Sequence, residues 1–319
     1  MPHLPHDGPE PDDRTVTSRA PSTDGLMTTT GSFMSARLLD GRAVAADLLK
    51  QCAVDAAEIG RVHGRAPTLA TVLVGDDPAS HTYVRMKANR CAEVGIESRR
   101  IEVDASTSTD ELLAILHDLS ADPGVDGILL QHPVPSQIDE RAAFEAIAAD
   151  KDVDGVTHAS FAAMADSGVG YHSATPGGIL RLLDAYEIAL AGRHAVVIGR
   201  SAILGRPMGM LLLGRNATVT YCHSRTVGLA DHVGRADILV AAAGVPGVVE
   251  GDWVKPGAVV VDAGYADNRG DVQFDSASQR ASFITPVPGG VGPMTIATLL
   301  EQTVAAARRQ LVHVAVAKG

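Results

Sequence analysis

Short runs of aliphatic and β-branched residues alternate along this chain with longer segments whose apolar positions recur every three or four residues. Such an alternation predicts strands buried on both faces, separated by amphipathic helices. TLATVLVG (68–75) and VDGILLQHPVP (125–135) read as strands, the latter ending in a proline-rich turn. ESRRIEV (97–103) alternates apolar and polar side chains, as a half-exposed strand does. Helical spacing covers residues 41–63, the stretch from Ser80 to about Val94, residues 108–122 behind a Ser/Thr cap signal, and residues 139–149. This strand–helix order predicts a parallel sheet. ATPGGILRLLDAY (174–186) opens another helix, with Pro176 near its first turn. A second series follows: HAVVIG (194–199), ATVTYC (217–222), DILVAAA (237–243) and AVVVDAG (258–264) are four predicted strands. A last helix, after TPVPGGVGPMT, runs to about Gln310. The expected fold is therefore α/β in two domains, with a boundary near residues 155–175 and no repeats of 20–50 residues.

At 319 residues the chain has room for two ordinary domains. Aromatic residues are only 3%, so Ala, Val, Leu and Gly must fill the core. The net charge of −11 argues against nucleic acid or an anionic membrane surface as partner, though not against a local basic pocket for a small anion. Residues 1–33 are rich in Pro, Asp, Ser, Thr and Gly and are expected to be a disordered, passive extension; Met34 is an alternative start. No apolar run reaches the roughly 18 residues of a membrane span, and the N-terminus has no secretory apolar region. Cys52, Cys91 and Cys222 fit neither a disulfide framework nor a C-x-x-C metal site, which predicts reduced thiols in a cytoplasmic protein.

Two clusters carry chemistry. VVIGRSAILGRPMGMLLL reads strand, turn, helix; Gly199 allows a tight turn and Gly205 a close helix approach, although the full G-x-G-x-x-G fingerprint is missing. At the end of the next strand an NAD site usually carries Asp or Glu. Here His223, Ser224 and Arg225 stand there, with Arg200 beside the first glycine, which favours a 2′-phosphate and hence NADP over NAD. In the first half, Tyr83 and Lys87 lie four residues apart and share a helix face. Gln131 ends the strand GILLQ, and the KDVDG loop supplies Asp152 and Asp154 near the domain boundary. Short-chain dehydrogenases also pair Tyr-x-x-x-Lys with NADP, but they put the nucleotide glycines first; the order here is reversed.

PASHTYVRMK, DGILLQHPVP, DKDVDG, TPGGI, GRHAVVIGRSAILGRPM, ATVTYCHSRT, GDWVKPGAVVVDAG and ASFITPVPGGVGPMT occur in one order across residues 36–310. In these stretches the chain resembles the bifunctional methylenetetrahydrofolate dehydrogenase/cyclohydrolase family. The resemblance implies a folate-binding catalytic domain over residues 34–172, joined by the C-terminal helix at about 293–319, and a Rossmann-like NADP domain over 173–292, with a cleft between them. It implies that Lys87 is the general acid/base, that Gln131 hydrogen-bonds it, that Tyr83 stacks on the folate and that Asp154 anchors the pterin. It adds Thr175, Ser201, Pro207 and Tyr265 to the cofactor contacts, and His132, Pro288, Gly289 and Gly290 to the substrate contacts. It also implies a homodimer acting on tetrahydrofolate derivatives. The sequence departs from the family at His132, where Leu is usual, at Asn89, at Ala174, and at Tyr265–Ala266, where Ile and Asn are typical. Protonated, His132 would put a positive charge near Lys87. These departures leave one competing expectation: a divergent paralogue that binds folate or NADP with weak or dehydrogenase-only activity.

Overall fold

A computed structural model of the chain describes residues 35–166, 168, 170–266 and 268–317; the segment 1–33, expected to be disordered, lies outside the described residues. The elements run β1 (Arg37–Leu38), α1 (Gly41–His63), β2 (Thr68–Val74), α2 (Pro78–Glu93), β3 (Glu97–Val103), α3 (Thr109–Ala121), β4 (Gly127–Leu130), α4 (Glu140–Glu145) and α5 (His158–Asp166). Then come α6 (Ala174–Ala185), β5 (His194–Ile198), α7 (Gly205–Gly214), β6 (Thr218–Cys222), α8 (Leu229–Val233), β7 (Ile238–Ala241), β8 (Val259–Asp262), α9 (Phe274–Ser278), β9 (Phe283–Ile284) and α10 (Val291–Ala317). They build two wholly parallel sheets, one of three strands in the order β3-β2-β4 and one of six in the order β1-β9-β8-β7-β5-β6.

Local chemistry sets the element ends. Asp40 caps α1 by accepting from the Arg42 and Ala43 amides, and the helix stops at Gly64 in the left-handed region. Asp77 caps α2, with Pro78 in its first turn, and Ser108 and Glu111 form a reciprocal capping box on α3. Central β2 is buried along its whole length, as its unbroken apolar run requires.

The structure departs from the sequence expectation at short elements. β1 and β9 have two residues each and leave no periodic trace. Their pairing places Arg37–Leu38 on the edge of the six-stranded sheet, whereas the other strands of the segment 34–172 form the three-stranded one. β4 pairs with β2 to Leu130, one residue before Gln131, which the sequence placed at the strand's end. α4 covers less than the predicted 139–149, α5 was not expected, and α10 continues past Gln310.

The two sheets share their helices. Ala45 of α1 and Met294 and Ala297 of α10 pack into the core under the large sheet, with Ile179, Leu182 and Leu183 of α6. Further along the same helices, Cys52, Ala56 and Ile59 of α1 and Leu299, Leu300, Val304 and Ala307 of α10 pack against Leu69 and Leu129 of the small sheet. Each long helix thus belongs to both cores and fixes one sheet against the other. Ile203, in the loop between β5 and α7, packs against the core on the other side of the small sheet.

Candidate active site

The chain leaves β2 through Gly75, at φ +85°, and enters α2 at once. One side of α2 buries Val84 and Cys91; Tyr83 stands exposed and Lys87 half-buried on another. Lys87 Nζ donates to Gln131 Oε1 at 3.0 Å. Gln131 follows β4 directly, and its own amide still donates to Val72 O at 2.8 Å. Gln131 Nε2 donates to His132 O at 2.8 Å, which turns Oε1 toward the lysine. His132 meets Phe144 edge-on, with ring centroids 6.1 Å apart.

The DKDVDG loop supplies the third group, while its Lys151 and Asp152 take structural roles. Lys151 is buried and donates to Leu119 O at 3.3 Å and Asp122 O at 2.6 Å, closing the end of α3. Asp152, fully buried, accepts from the amides of Val156 and Thr157 and from the hydroxyls of Thr157 and Ser160. Asp154 is left: among the described residues no donor hydrogen-bonds to its carboxylate, which feels the charges of Lys87 and His132.

Burial decides the electrostatics. It holds the Lys87 ammonium below the ordinary lysine range, while Asp154 and Cys91 pull the other way. It also lifts the Asp154 carboxyl above the usual range, against the opposing pull of Lys87 and His132. A neutral Lys87 can still donate one N–H to Gln131 and keep its lone pair for a proton. Gln131 orients the amine without the negative charge that would push its pKa up again. Burial raises the Tyr83 hydroxyl too, and Tyr265, from the loop after β8, adds to that shift.

At the carboxyl ends of β5 and β6 the backbone forms a cradle. Gly199 sits at φ +131°, and a Cβ there would overlap the Ala242 carbonyl. A Cβ on Gly205 would overlap the Gly199 carbonyl, so the turn closes only with glycine at both places. Ser201 Oγ accepts from the Leu204 and Gly205 amides, both at 3.2 Å, and shapes the start of α7. Arg200, Ser201, Ser224 and Arg225 are exposed around this turn. His223 Nδ1 accepts from the Arg225 amide at 3.2 Å, and its own amide donates to Thr226 Oγ1 at 2.8 Å, which fixes the loop carrying Ser224 and Arg225. A glycine-walled turn facing a helix start, with two guanidiniums and no carboxylate at residues 223–225, fits a dinucleotide with a 2′-phosphate.

Other expected contacts have structural work. Pro207 is buried in the first turn of α7, where a missing amide hydrogen does no harm. Thr175 accepts from Thr295 Oγ1 at 3.1 Å and ties α6 to α10. Gly290 is buried against Gly41, where any Cβ would overlap the Gly290 carbonyl; Gly289 lies beside Arg42, and Pro288 is exposed. Tyr265 is half-exposed and donates to Asn268 Oδ1 at 2.5 Å.

Comparison with known proteins covers both halves of the chain. Residues 39–154 match the tetrahydrofolate dehydrogenase/cyclohydrolase catalytic domain, and residues 173–311 match the NAD(P)-binding domain of the same family. The chain belongs to the tetrahydrofolate dehydrogenase/cyclohydrolase family. Among its relatives, bifunctional protein FolD 1 of Salinispora arenicola is 65% identical over 277 residues, covering 86% of this chain and 99% of that protein. The solved bifunctional enzyme FolD from Campylobacter jejuni has a TM-score of 0.84 at 42% identity, covering 86% of this chain and 99% of its own. The Trypanosoma brucei methylenetetrahydrofolate dehydrogenase-cyclohydrolase, solved with NADP and an inhibitor, reaches 0.84 at 36% identity, covering 87% and 99%. Sequence reasoning missed two buried acids in the family's nucleotide half, Asp262 and Asp271. A carboxylate closing the apolar run AVVVD was the signal for the first; the second carries none, because its partners lie in a distant loop.

Proposed function

We propose that this chain oxidises 5,10-methylenetetrahydrofolate to the 5,10-methenyl form with NADP, and hydrolyses that product to 10-formyltetrahydrofolate. The observation that carries this reading is the half-buried Lys87 held on Gln131 beside an Asp154 carboxylate that no donor among the described residues satisfies.

NADP, when bound, accepts the hydride from the methylene bridge. Arg200, Ser201, Ser224 and Arg225, around the Gly199–Gly205 turn, would hold it. The same reading adds Thr175, Pro207, His223 and Tyr265 to the residues that hold it. Asp154 anchors the pterin N–H groups through its free oxygens. Tyr83 offers its ring for stacking, and His132, with Pro288–Gly290, lines the substrate side. In the hydrolytic step the Lys87 amine takes a proton from water as the oxygen bonds to the methenyl carbon. Lys87 then returns that proton to the ring nitrogen as its carbon–nitrogen bond breaks, while the adduct's hydroxyl loses its proton to solvent and becomes the carbonyl of the formyl group left on the other nitrogen. Gln131 keeps the amine aimed throughout. The same reading takes the enzyme as a cytoplasmic homodimer; three buried free thiols are in keeping with a reducing compartment.

Lys87→Met tests the reading. Methenyl hydrolysis should fall by roughly 10²–10⁴-fold, the usual worth of a positioned acid/base. Near-normal hydrolysis in a folded variant would remove Lys87 from the chemistry.

A further inference from the structure

Asp262 and Asp271 form a buried pair at the cofactor end of the large sheet, and the two face different ways. Asp262 closes β8 and accepts from the amides of Gly264 and Asp271 at 3.0 Å and of Val272 at 2.9 Å. It braces the turn after β8 onto its own strand. Asp271, 1% exposed, reaches across to the loop after β7 instead: its Oδ2 accepts from Ala243 N at 2.6 Å and Gly244 N at 3.0 Å. Two glycines make room for the pair. A Cβ on Gly264 would overlap the Asp271 carboxylate, and one on Gly270 would overlap that of Asp262.

The loop held by Asp271 forms a wall of the nucleotide cradle. Its first residue, Ala242, is the one whose carbonyl Gly199 crowds, and Gly244 follows exposed at φ +67°. The second Asp271 oxygen, Oδ1, is buried without a hydrogen-bond partner among the described residues. An unpaired buried oxygen is unfavourable to folding, so the carboxylate's use lies in what its other oxygen does. Resting on the NADP reading above, we infer that Asp271 is a positioning residue for the cofactor: it clamps the Ala243–Gly244 turn in the shape that completes the cradle beside Gly199.

Asp271→Asn keeps the shape and removes the charge. NADP affinity, measured by calorimetry on the full chain, should fall about tenfold, the factor that corresponds to one weakened charged hydrogen bond. Methenyl hydrolysis, measured without NADP, should fall far less, and the melting temperature should mark a folded protein. An unchanged NADP affinity would overturn the inference; so would a parallel loss of affinity and hydrolysis, which marks a general structural role. Should the Asn variant not fold, Gly244→Ala provides the second arm. It strains the exposed turn where φ is positive without crowding anything, and it should weaken NADP in the same selective way. Unaltered binding in Gly244→Ala would overturn the inference. A wild-type chain that does not bind NADP would overturn both this inference and the functional reading beneath it.

Discussion

To take a proton Lys87 would have to be neutral, and burial, not a partner, moves its pKa in that direction. The same burial gives a stability signature. Folding holds the Lys87 pKa below its unfolded value of 10.5, so between the two values the unfolded chain binds more protons than the folded one. Wild-type stability therefore rises with pH through that window. Lys87→Met lacks this dependence: its melting temperature should match or exceed the wild type at neutral pH, and the difference should move in the wild type's favour as pH approaches 10.5. A pH-independent difference between the two melting curves contradicts a depressed Lys87. At the cofactor end, Arg200→Ala and Ser224→Asp should each weaken NADP more than NAD, by on the order of 1.5–3 kcal/mol for a lost charged contact. Equal losses for both cofactors, in paired titrations, would mean these side chains do not read the phosphate. Single residues were legible in the sequence where their type conflicts with their place, as with a lysine and tyrosine on the helix after an apolar strand. Asp271 was not legible, because its meaning depends on amides nearly thirty positions away.

Helices α1 and α10 each serve both cores, so the two sheets should unfold together. Met294→Ala removes a side chain from under the large sheet and Leu300→Ala one from under the small sheet; both are fully buried. Each should cost about 2–5 kcal/mol. Calorimetry should show one transition lowered as a whole by either change. Two separated transitions, each moved by only one variant, would show the sheets to be independent. The long elements were readable because burial on both faces leaves an unbroken apolar run and helix packing leaves a periodic stripe. The two-residue strands β1 and β9 were not. They exist through backbone bonds such as Leu39 N to Ile284 O at 2.8 Å, which no local pattern encodes.

At the scale of the whole molecule, the order of motifs carried the fold and the family, while the meeting of Lys87, Gln131 and Asp154 came from topology. Three separate segments converge because β2 and β4 are neighbours and the DKDVDG loop runs beside β4, where Ile128 N donates to Lys151 O at 2.9 Å. Residues 1–33 lie outside both matched domains, the first of which begins at residue 39. A chain starting at Met34 should keep its activity and melting temperature, and a drop of several degrees would show that the leading segment packs on the fold. The most direct test of the account is to give the purified full chain 5,10-methylenetetrahydrofolate and NADP, following NADP reduction, the methenyl absorbance and the final product. The account predicts that NADP is reduced, that a methenyl signal appears, and that it decays into 10-formyltetrahydrofolate in step with the NADPH formed. Reduction of NADP with methenyl accumulating and no enzyme-dependent formyl product, or no reduction at all, would contradict it.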